Sequence, residues 1–143
     1  MIILDTSILA YAVGAAHPFR EPCRRILGAH AEGRIEATTT VEVIQEFTHV
    51  RARRMPRREA VEVARKLAAA FDLLATTPEE LDRGLHVFER YETLGAFDAV
   101  LVAVAMSRGA EALVSADRSF GSVPGLRWVD PAGPALRRLI GDD

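Results

Sequence analysis

The opening stretch Met1-Ile2-Ile3-Leu4-Asp5-Thr6-Ser7 constrains the fold most, because three apolar residues run straight into a carboxylate and two hydroxyls. A run this short and this apolar suits a strand covered on both faces, as in a parallel sheet packed between helix layers. Open α/β sheets carry their chemistry just beyond the carboxyl ends of the strands. Asp5, Thr6 and Ser7 are also good N-caps for a helix beginning Ile8-Leu9-Ala10-Tyr11, and capping alone accounts for them unless acids far away in sequence occupy equivalent places.

The rest of the chain alternates helix and strand. A short helix over 6–13 is broken by Gly14 and His17-Pro18, and a second carries the stripe Phe19, Cys23, Ile26, Leu27, His30 with Gly33 as terminator. Residues 35–39 read as a second strand, and Thr38-Thr39-Thr40 offers the cap of a helix running from 41 to about 54. On that helix Val43, Phe47 and Val50 share one side, while Glu42, Glu46, His49 and Arg53 share another. Glu46 lies between Gln45 and Phe47, beside the apolar side, where the helix should meet the sheet. A helix over 58–70 should bury Val61, Ala64, Leu67 or Ala68, and Phe71, and 73–75 suggests a brief third strand. Thr77-Pro78-Glu79-Glu80 has the form of a capping box, opening a helix with Leu81, Leu85 and Phe88 as its core stripe.

From Phe97 to Met106 the sequence is apolar nearly all round apart from Asp98, the pattern of a helix buried on most sides. Ala112-Leu113-Val114 then repeats the opening pattern, leading into Ser115-Ala116-Asp117. A loop over 120–124, an edge strand over 126–129 and a terminal helix over 131–140 complete the chain. No repeat or linker divides it, so one domain over 1–143 is expected.

Eighteen basic and twenty acidic side chains leave a net charge of −2, so no global field draws in a polyanion. The dense basic group is Arg51, Arg53, Arg54, Arg57 and Arg58 around Met55-Pro56, which serves equally as a solvated turn or as a set of phosphate contacts. Cys23 stands alone, which excludes an internal disulfide and fits a reducing cytoplasm. Asp5 interrupts the first apolar run, no basic residue precedes it, and 99–106 is too short to cross a bilayer, so a soluble protein with no membrane partner is expected.

Asp5 and Asp117 thus follow apolar strands, Asp98 opens a buried helix, and Glu46 sits on the helix after the second strand. Alternating βα units bring such positions to one rim of a parallel sheet. Four carboxylates at one rim repel one another unless a cation neutralises them. An all-oxygen set with no histidine or cysteine cluster favours Mg²⁺ or Mn²⁺ over zinc, with Thr6, Ser7 and Ser115 placed to orient the carboxylates.

Ile2-Ile3-Leu4-Asp5-Thr6-Ser7, Val43-Ile44-Gln45-Glu46-Phe47, Phe97-Asp98-Ala99 and Leu113-Val114-Ser115-Ala116-Asp117-Arg118 occur in the order and spacing of a PIN domain, and the chain resembles a VapC-type toxin over almost its whole length. The resemblance implies a three-layer α/β/α fold with a central parallel sheet and a Mg²⁺- or Mn²⁺-dependent endoribonuclease. It also implies a homodimer and inhibition by a cognate VapB-type antitoxin. The catalytic, metal-binding positions carry over to Asp5, Glu46, Asp98 and Asp117. The chain departs from the pattern in two places. Ser119 stands where many relatives have an acid, and Glu42, one turn before Glu46, competes with it for the metal-facing role. A PIN nuclease of general RNA processing and a non-catalytic RNA- or protein-binding module remain as alternatives. Haloacid dehalogenase-like phosphatases need an aspartate where Ser7 stands, and receiver domains need a lysine at a late strand end, whereas Lys66 falls in an amphipathic helix.

Overall fold

The computed structural model describes residues 1–142, so the last position of the domain expected over 1–143 lies outside the described residues. The chain forms β1 (Ile2–Leu4), α1 (Thr6–Val13), α2 (Arg20–Ala31), β2 (Ala37–Thr38), α3 (Val41–Ala52), α4 (Arg57–Ala70), α5 (Pro78–Arg90), α6 (Ala96–Ser107), β3 (Ala112–Val114), a 3₁₀ turn (Arg118–Ser122), β4 (Trp128–Val129) and α7 (Pro134–Ile140). The four strands make one parallel sheet in the order β2-β1-β3-β4. Successive strand residues face opposite sides, yet Ile2, Ile3 and Leu4 are all buried, so helices cover both faces of β1. The fold is the expected α/β sandwich of helices about a parallel sheet.

Register places the site. Leu4 pairs with Val114, and Ile2 lies between Ala37 and Ala112. The chain leaves β1 for β2 on one side and later returns as β3 on the other. The carboxyl ends of β1 and β3 therefore flank a topological switch point, where open α/β sheets form a crevice. Asp5 and Ser115 are the residues that follow those two strands.

Several elements differ from their expected form. Helix α3 ends at Ala52, and β2 is only Ala37–Thr38 because Thr40 already caps α3, its hydroxyl accepting from the Val43 amide at 3.2 Å. The strand expected over 73–75 is reduced for the same reason to one bridge between Thr40 and Leu74. The edge strand keeps only Trp128–Val129. Residues 118–122 form a 3₁₀ turn instead of a loop, with Phe120 buried beneath it. Helix α7 starts at Pro134, since the Asp130 carboxylate accepts from the Ala132 amide and holds a turn there.

Two expected apolar stripes are turned by about one residue. In α4 the buried set is Ala60, Ala64 and Leu67, followed by Phe71 beyond its end, while Val61 is exposed. In α5, Leu81, Leu85 and Phe88 are 47%, 50% and 46% exposed, so they are not the core stripe. The inward side carries Glu80, Gly84, Val87 and Tyr91 instead. Gly84 lets α5 close on α6: a Cβ there would stand 2.6 Å from the Val100 Cα. Glu80 is buried but fully bonded. It accepts from Arg108 Nε at 2.6 Å, from Arg108 Nη2 at 3.1 Å, from the Ser107 hydroxyl and from the Thr77 amide at 2.9 Å. These donors hold its carboxyl down at about 2 against the cost of burial.

Candidate active site

Asp5 follows β1 and caps α1, so the capping reading is right as far as it goes. It is 5% exposed, and the Ser7 hydroxyl and the Ser115 hydroxyl each donate to its Oδ2 at 2.7 Å, with the Ser7 amide at 3.3 Å. All three donors converge on one oxygen, and Oδ1 receives none of them. Ser115 belongs beside Asp5 because β1 and β3 are neighbours, the Asp5 amide extending their pairing to the Val114 carbonyl at 3.1 Å.

The same hydroxyls reach further. Ser7 Oγ accepts from the Ala116 amide at 3.1 Å, and Ser115 Oγ accepts from the Asp117 amide at 3.0 Å. The turn carrying Asp117 is thereby tied to the turn carrying Asp5. Asp117 caps the 3₁₀ turn, accepting from the Ser119 amide at 2.8 Å through Oδ1. Glu46 is oriented from α1, where the Thr6 hydroxyl donates to its Oε2. Thr6, Ser7 and Ser115 thus each donate a hydrogen bond to a carboxylate oxygen.

Asp98 is the least compensated. Gly95 caps α6, so Asp98 is not the cap; it stands in the first turn, with no side-chain hydrogen bond among the described residues. Burial, then the charges of Asp5, Glu46 and Asp117, push its carboxyl from 3.8 up to about 7. Acids from three other parts of the chain thus act on Asp98 at the rim. Glu42 is not among the charges acting on Asp98, and its Oε2 is buried without a hydrogen-bond partner among the described residues.

Carboxylate oxygens are the donors that hard divalent ions take, and the repulsion expressed at Asp98 is what such an ion relieves. Among the described residues no three acid, histidine or cysteine side chains close into a direct metal-binding group. An ion at this rim would therefore be held through one or two carboxylates with water in its remaining positions, as Mg²⁺ often is.

The basic group lies elsewhere on α3 and α4. Arg53 and Arg54 are exposed at the carboxyl end of α3, with Arg53 Nη2 3.1 Å from His49 Nε2. Arg51 is half-buried and its Nε meets no acceptor among the described residues. Arg57 and Arg58 open α4 and line a shallow depression with Val61, Glu62, Arg65 and Lys66. Arg53 follows Glu46 by seven positions, about 10 Å of helical rise, so it stands beside the acid rim and not in it.

Sequence patterning missed a groove of about 450 Å³ that opens onto the rim. Asp5, Glu46 and Asp98 stand in it together with Leu81, Leu85 and Phe97. Phe97 is 72% exposed. The signal for it is the apolar stripe of α5, which the helical period alone places in the core. Among the described residues no helix is long and apolar enough to cross a membrane.

The PIN domain family matches residues 2–126. Ribonuclease VapC7 of Mycobacterium tuberculosis is 48% identical over 144 residues, covering 99% of each chain. Ribonuclease VapC13 of the same species is 33% identical over 129 residues, covering 89% of this chain and 98% of its own. Among solved structures, VapBC2 from Rickettsia felis bound to a promoter DNA fragment superposes with a TM-score of 0.73 at 16% identity, covering 91% of this chain and 98% of that one. VapC20 of M. tuberculosis, described as a sarcin-ricin loop cleaving toxin, superposes with a TM-score of 0.70 at 20% identity, covering 89% and 99%. With the acid rim at the switch point and a full-length relative at nearly half identity, the chain belongs to the PIN-domain family, among its VapC members.

Proposed function

We propose that the protein is a metal-dependent endoribonuclease, the toxin of a VapBC-type pair, with Asp5, Glu46, Asp98 and Asp117 as its catalytic and metal-binding acids. The observation that carries this reading is Asp98, whose carboxyl is driven to about 7 by burial and by the other three acids. Burial is the largest cause of that rise and the neighbouring charges the rest, and a divalent cation at the rim would offset both.

A bound Mg²⁺ or Mn²⁺ would supply Lewis acidity, lowering the pKa of a water and offsetting charge on the scissile phosphate. The chain's own residues do the rest. Ser7 and Ser115 fix Asp5 by one oxygen, and Thr6 fixes Glu46, so these carboxylates need no reorganisation when substrate arrives. Ser115 also holds the Asp117 turn in register with Asp5. Arg51, Arg53, Arg54, Arg57 and Arg58 are the candidates for phosphate contacts on the RNA flanking the cut. Between Glu42 and Glu46, we assign the metal-facing role to Glu46, because its charge acts on Asp98 and its orientation is fixed from α1.

As a toxin the protein would act in the cytoplasm, be held inactive by a VapB-type antitoxin, and pair with a second copy of itself. The half-exposed stripe of α5 is suited to such contacts. The test is cleavage of structured and unstructured RNAs by purified protein, with and without Mg²⁺ or Mn²⁺, beside Asp5→Asn. Metal-dependent cleavage lost in the variant supports the reading. Cleavage by Asp5→Asn, or RNA binding insensitive to EDTA with no cleavage, contradicts it. Growth arrest on expression, relieved by the neighbouring antitoxin, separates a toxin from a nuclease of general RNA processing.

A further inference from the structure

Ser115 serves both acids of the switch point, donating to Asp5 and accepting from the Asp117 amide, and it is itself held from β4. Its amide donates to the Val129 carbonyl at 3.2 Å, as the Leu113 amide does to the Arg127 carbonyl at 2.9 Å. Bonds along a parallel ladder are evenly spaced, so the Ser115 carbonyl is next in line for the amide of residue 131. That residue is Pro131, which has no amide hydrogen to give. The half-buried Trp128 fills the gap, its indole Nε1–H donating to the Ser115 carbonyl at 2.9 Å.

The peptide between Ser115 and Ala116 is gripped at its other end too. The Ala116 amide donates to Ser7 Oγ at 3.1 Å, and Ser7 donates in turn to Asp5 Oδ2 at 2.7 Å. Turned over, that peptide would lose both bonds and present its carbonyl to Ser7 as a rival to Asp5 for the hydroxyl proton. An indole N–H can only donate, so it admits the one orientation in which Ser7 serves Asp5. The same ring underlies the far side of the 3₁₀ turn, where a Cβ on Gly121 would stand 3.0 Å from Trp128 Cε3. A tryptophan that merely covered a sheet edge could give its N–H to any acceptor. This one touches the Asp117 segment both before and after the acid. We propose that Trp128 is a positioning residue for the metal site, acting through the peptide between Ser115 and Ala116 and through the 3₁₀ turn to fix Asp5 and Asp117 relative to one another. This rests on the reading of the rim as the divalent-metal site of a nuclease.

Two replacements remove the N–H. Trp128→Phe is one; the other is benzothienylalanine fed in place of the chain's single tryptophan, which sets sulfur where the N–H was and keeps both rings against Gly121. Ile140→Val is the control for lost stability, trimming a buried residue of α7 whose carbonyl is bound by Arg34, ahead of β2 and away from the rim. Amide hydrogen exchange followed by NMR in EDTA reads the geometry, and calorimetric titration with Mn²⁺ reads the site. Both replacements should speed exchange of the Ala116 and Asp117 amides roughly tenfold relative to those of α4, about the worth of one hydrogen bond. They should also weaken Mn²⁺ binding roughly tenfold, the low end of what loss of an outer partner costs a metal site. Ile140→Val should change neither quantity. Mn²⁺ binding as tight as wild type in either replacement, or exchange of the two amides no faster than in Ile140→Val, would overturn the proposal. Equal weakening of Mn²⁺ binding in Ile140→Val would overturn it too, because lost stability would then be the cause. Wild type that binds no Mn²⁺ and cleaves no RNA removes the nuclease reading, and amide exchange then decides alone whether Trp128 fixes the two turns. Wild type that cleaves RNA, beside replacements whose Mn²⁺ binding is unaltered, removes this inference alone.

Discussion

Replacing Asp98 by Asn tests the central electrostatic claim directly. Its carboxyl is raised from 3.8 to about 7, and at about 1.36 kcal/mol per unit a rise of roughly three units corresponds to about 4 kcal/mol. Asp98 is partly open to water, which screens the interaction and reduces the figure to about 2 kcal/mol. The sign follows from linkage. An acid with a raised folded pKa imposes no penalty below its unfolded value near 3.8. Stability is then lost as pH climbs towards 7, and the loss is constant above that. Asn cannot ionise and escapes the loss. Thermal unfolding in EDTA should therefore show wild type and Asp98→Asn melting together at about pH 3. By pH 8 the variant should melt about 6 °C higher, taking about 3 °C per kcal/mol for a chain of this size. Millimolar Mg²⁺ should narrow the gap by stabilising the wild type preferentially. A gap that does not change with pH, or a wild type more stable than the variant at pH 8, would refute the claim that burial and the neighbouring acids disfavour an ionised Asp98.

Other consequences can be measured separately. Gly84→Ala places a methyl 2.6 Å from the Val100 backbone and should cost about 1–3 kcal/mol in urea unfolding, whereas Gly28→Ala, in mid-helix with open space around it, should gain about 0.5–1 kcal/mol. Ser115→Ala removes a donor to Asp5 and an acceptor from the Asp117 amide, so cleavage should fall roughly 10–100-fold while the circular dichroism spectrum stays the same. Glu80, with its carboxyl held at about 2, contributes stability above about pH 4.5 that disappears as pH falls through 2. An acid titration of Glu80→Gln should therefore be flatter over that range than that of wild type. Replacing Arg57 and Arg58 together by Gln should weaken RNA binding at every sequence and lower the slope of log affinity against log salt by about 1.4; an unchanged slope would place the RNA elsewhere.

The rim was legible because its parts are local signals repeated. Ile2-Ile3-Leu4 before Asp5 and Ala112-Leu113-Val114 before Asp117 each announce a buried strand that ends in polar residues, and parallel pairing of those two strands then leaves little freedom in where the acids meet. Thr6, Ser7 and Ser115 could be singled out for the same reason, being next to the acids in sequence. The strand over 73–75 could not be judged in this way. Pairing depends on how much partner strand is free, and Thr40 turns the chain into α3 after a single bridge. Glu42 and Glu46 share a helical face, and what separates them is Thr6, a residue 40 positions away from Glu46 whose hydroxyl reaches only one of them.

Helix α5 failed for a reason that bears on function. A three-to-four-residue apolar period says that one side of a helix avoids water; it does not say that the surface covering it belongs to the same chain. Leu81, Leu85 and Phe88 satisfied the pattern, while the side that packs holds a charge and a glycine, Glu80 and Gly84, and so looked like the solvent side. Each of those two has its own compensation. Arg108 and Ser107 bring donors to Glu80 from the end of α6, and the missing side chain of Gly84 admits the Val100 backbone. The apolar stripe is thereby left facing outward, with Leu81 and Leu85 in the groove that also contains Asp5, Glu46 and Asp98. A segment seated on those leucines would lie beside Asp5, Glu46 and Asp98 as well, so packing against α5 and access to the rim would be linked. An isolated cation binding the rim would leave the leucines wet. A protein partner would bury both, which is why occupancy of the groove should be read from Leu81 and Leu85 as much as from the carboxylates.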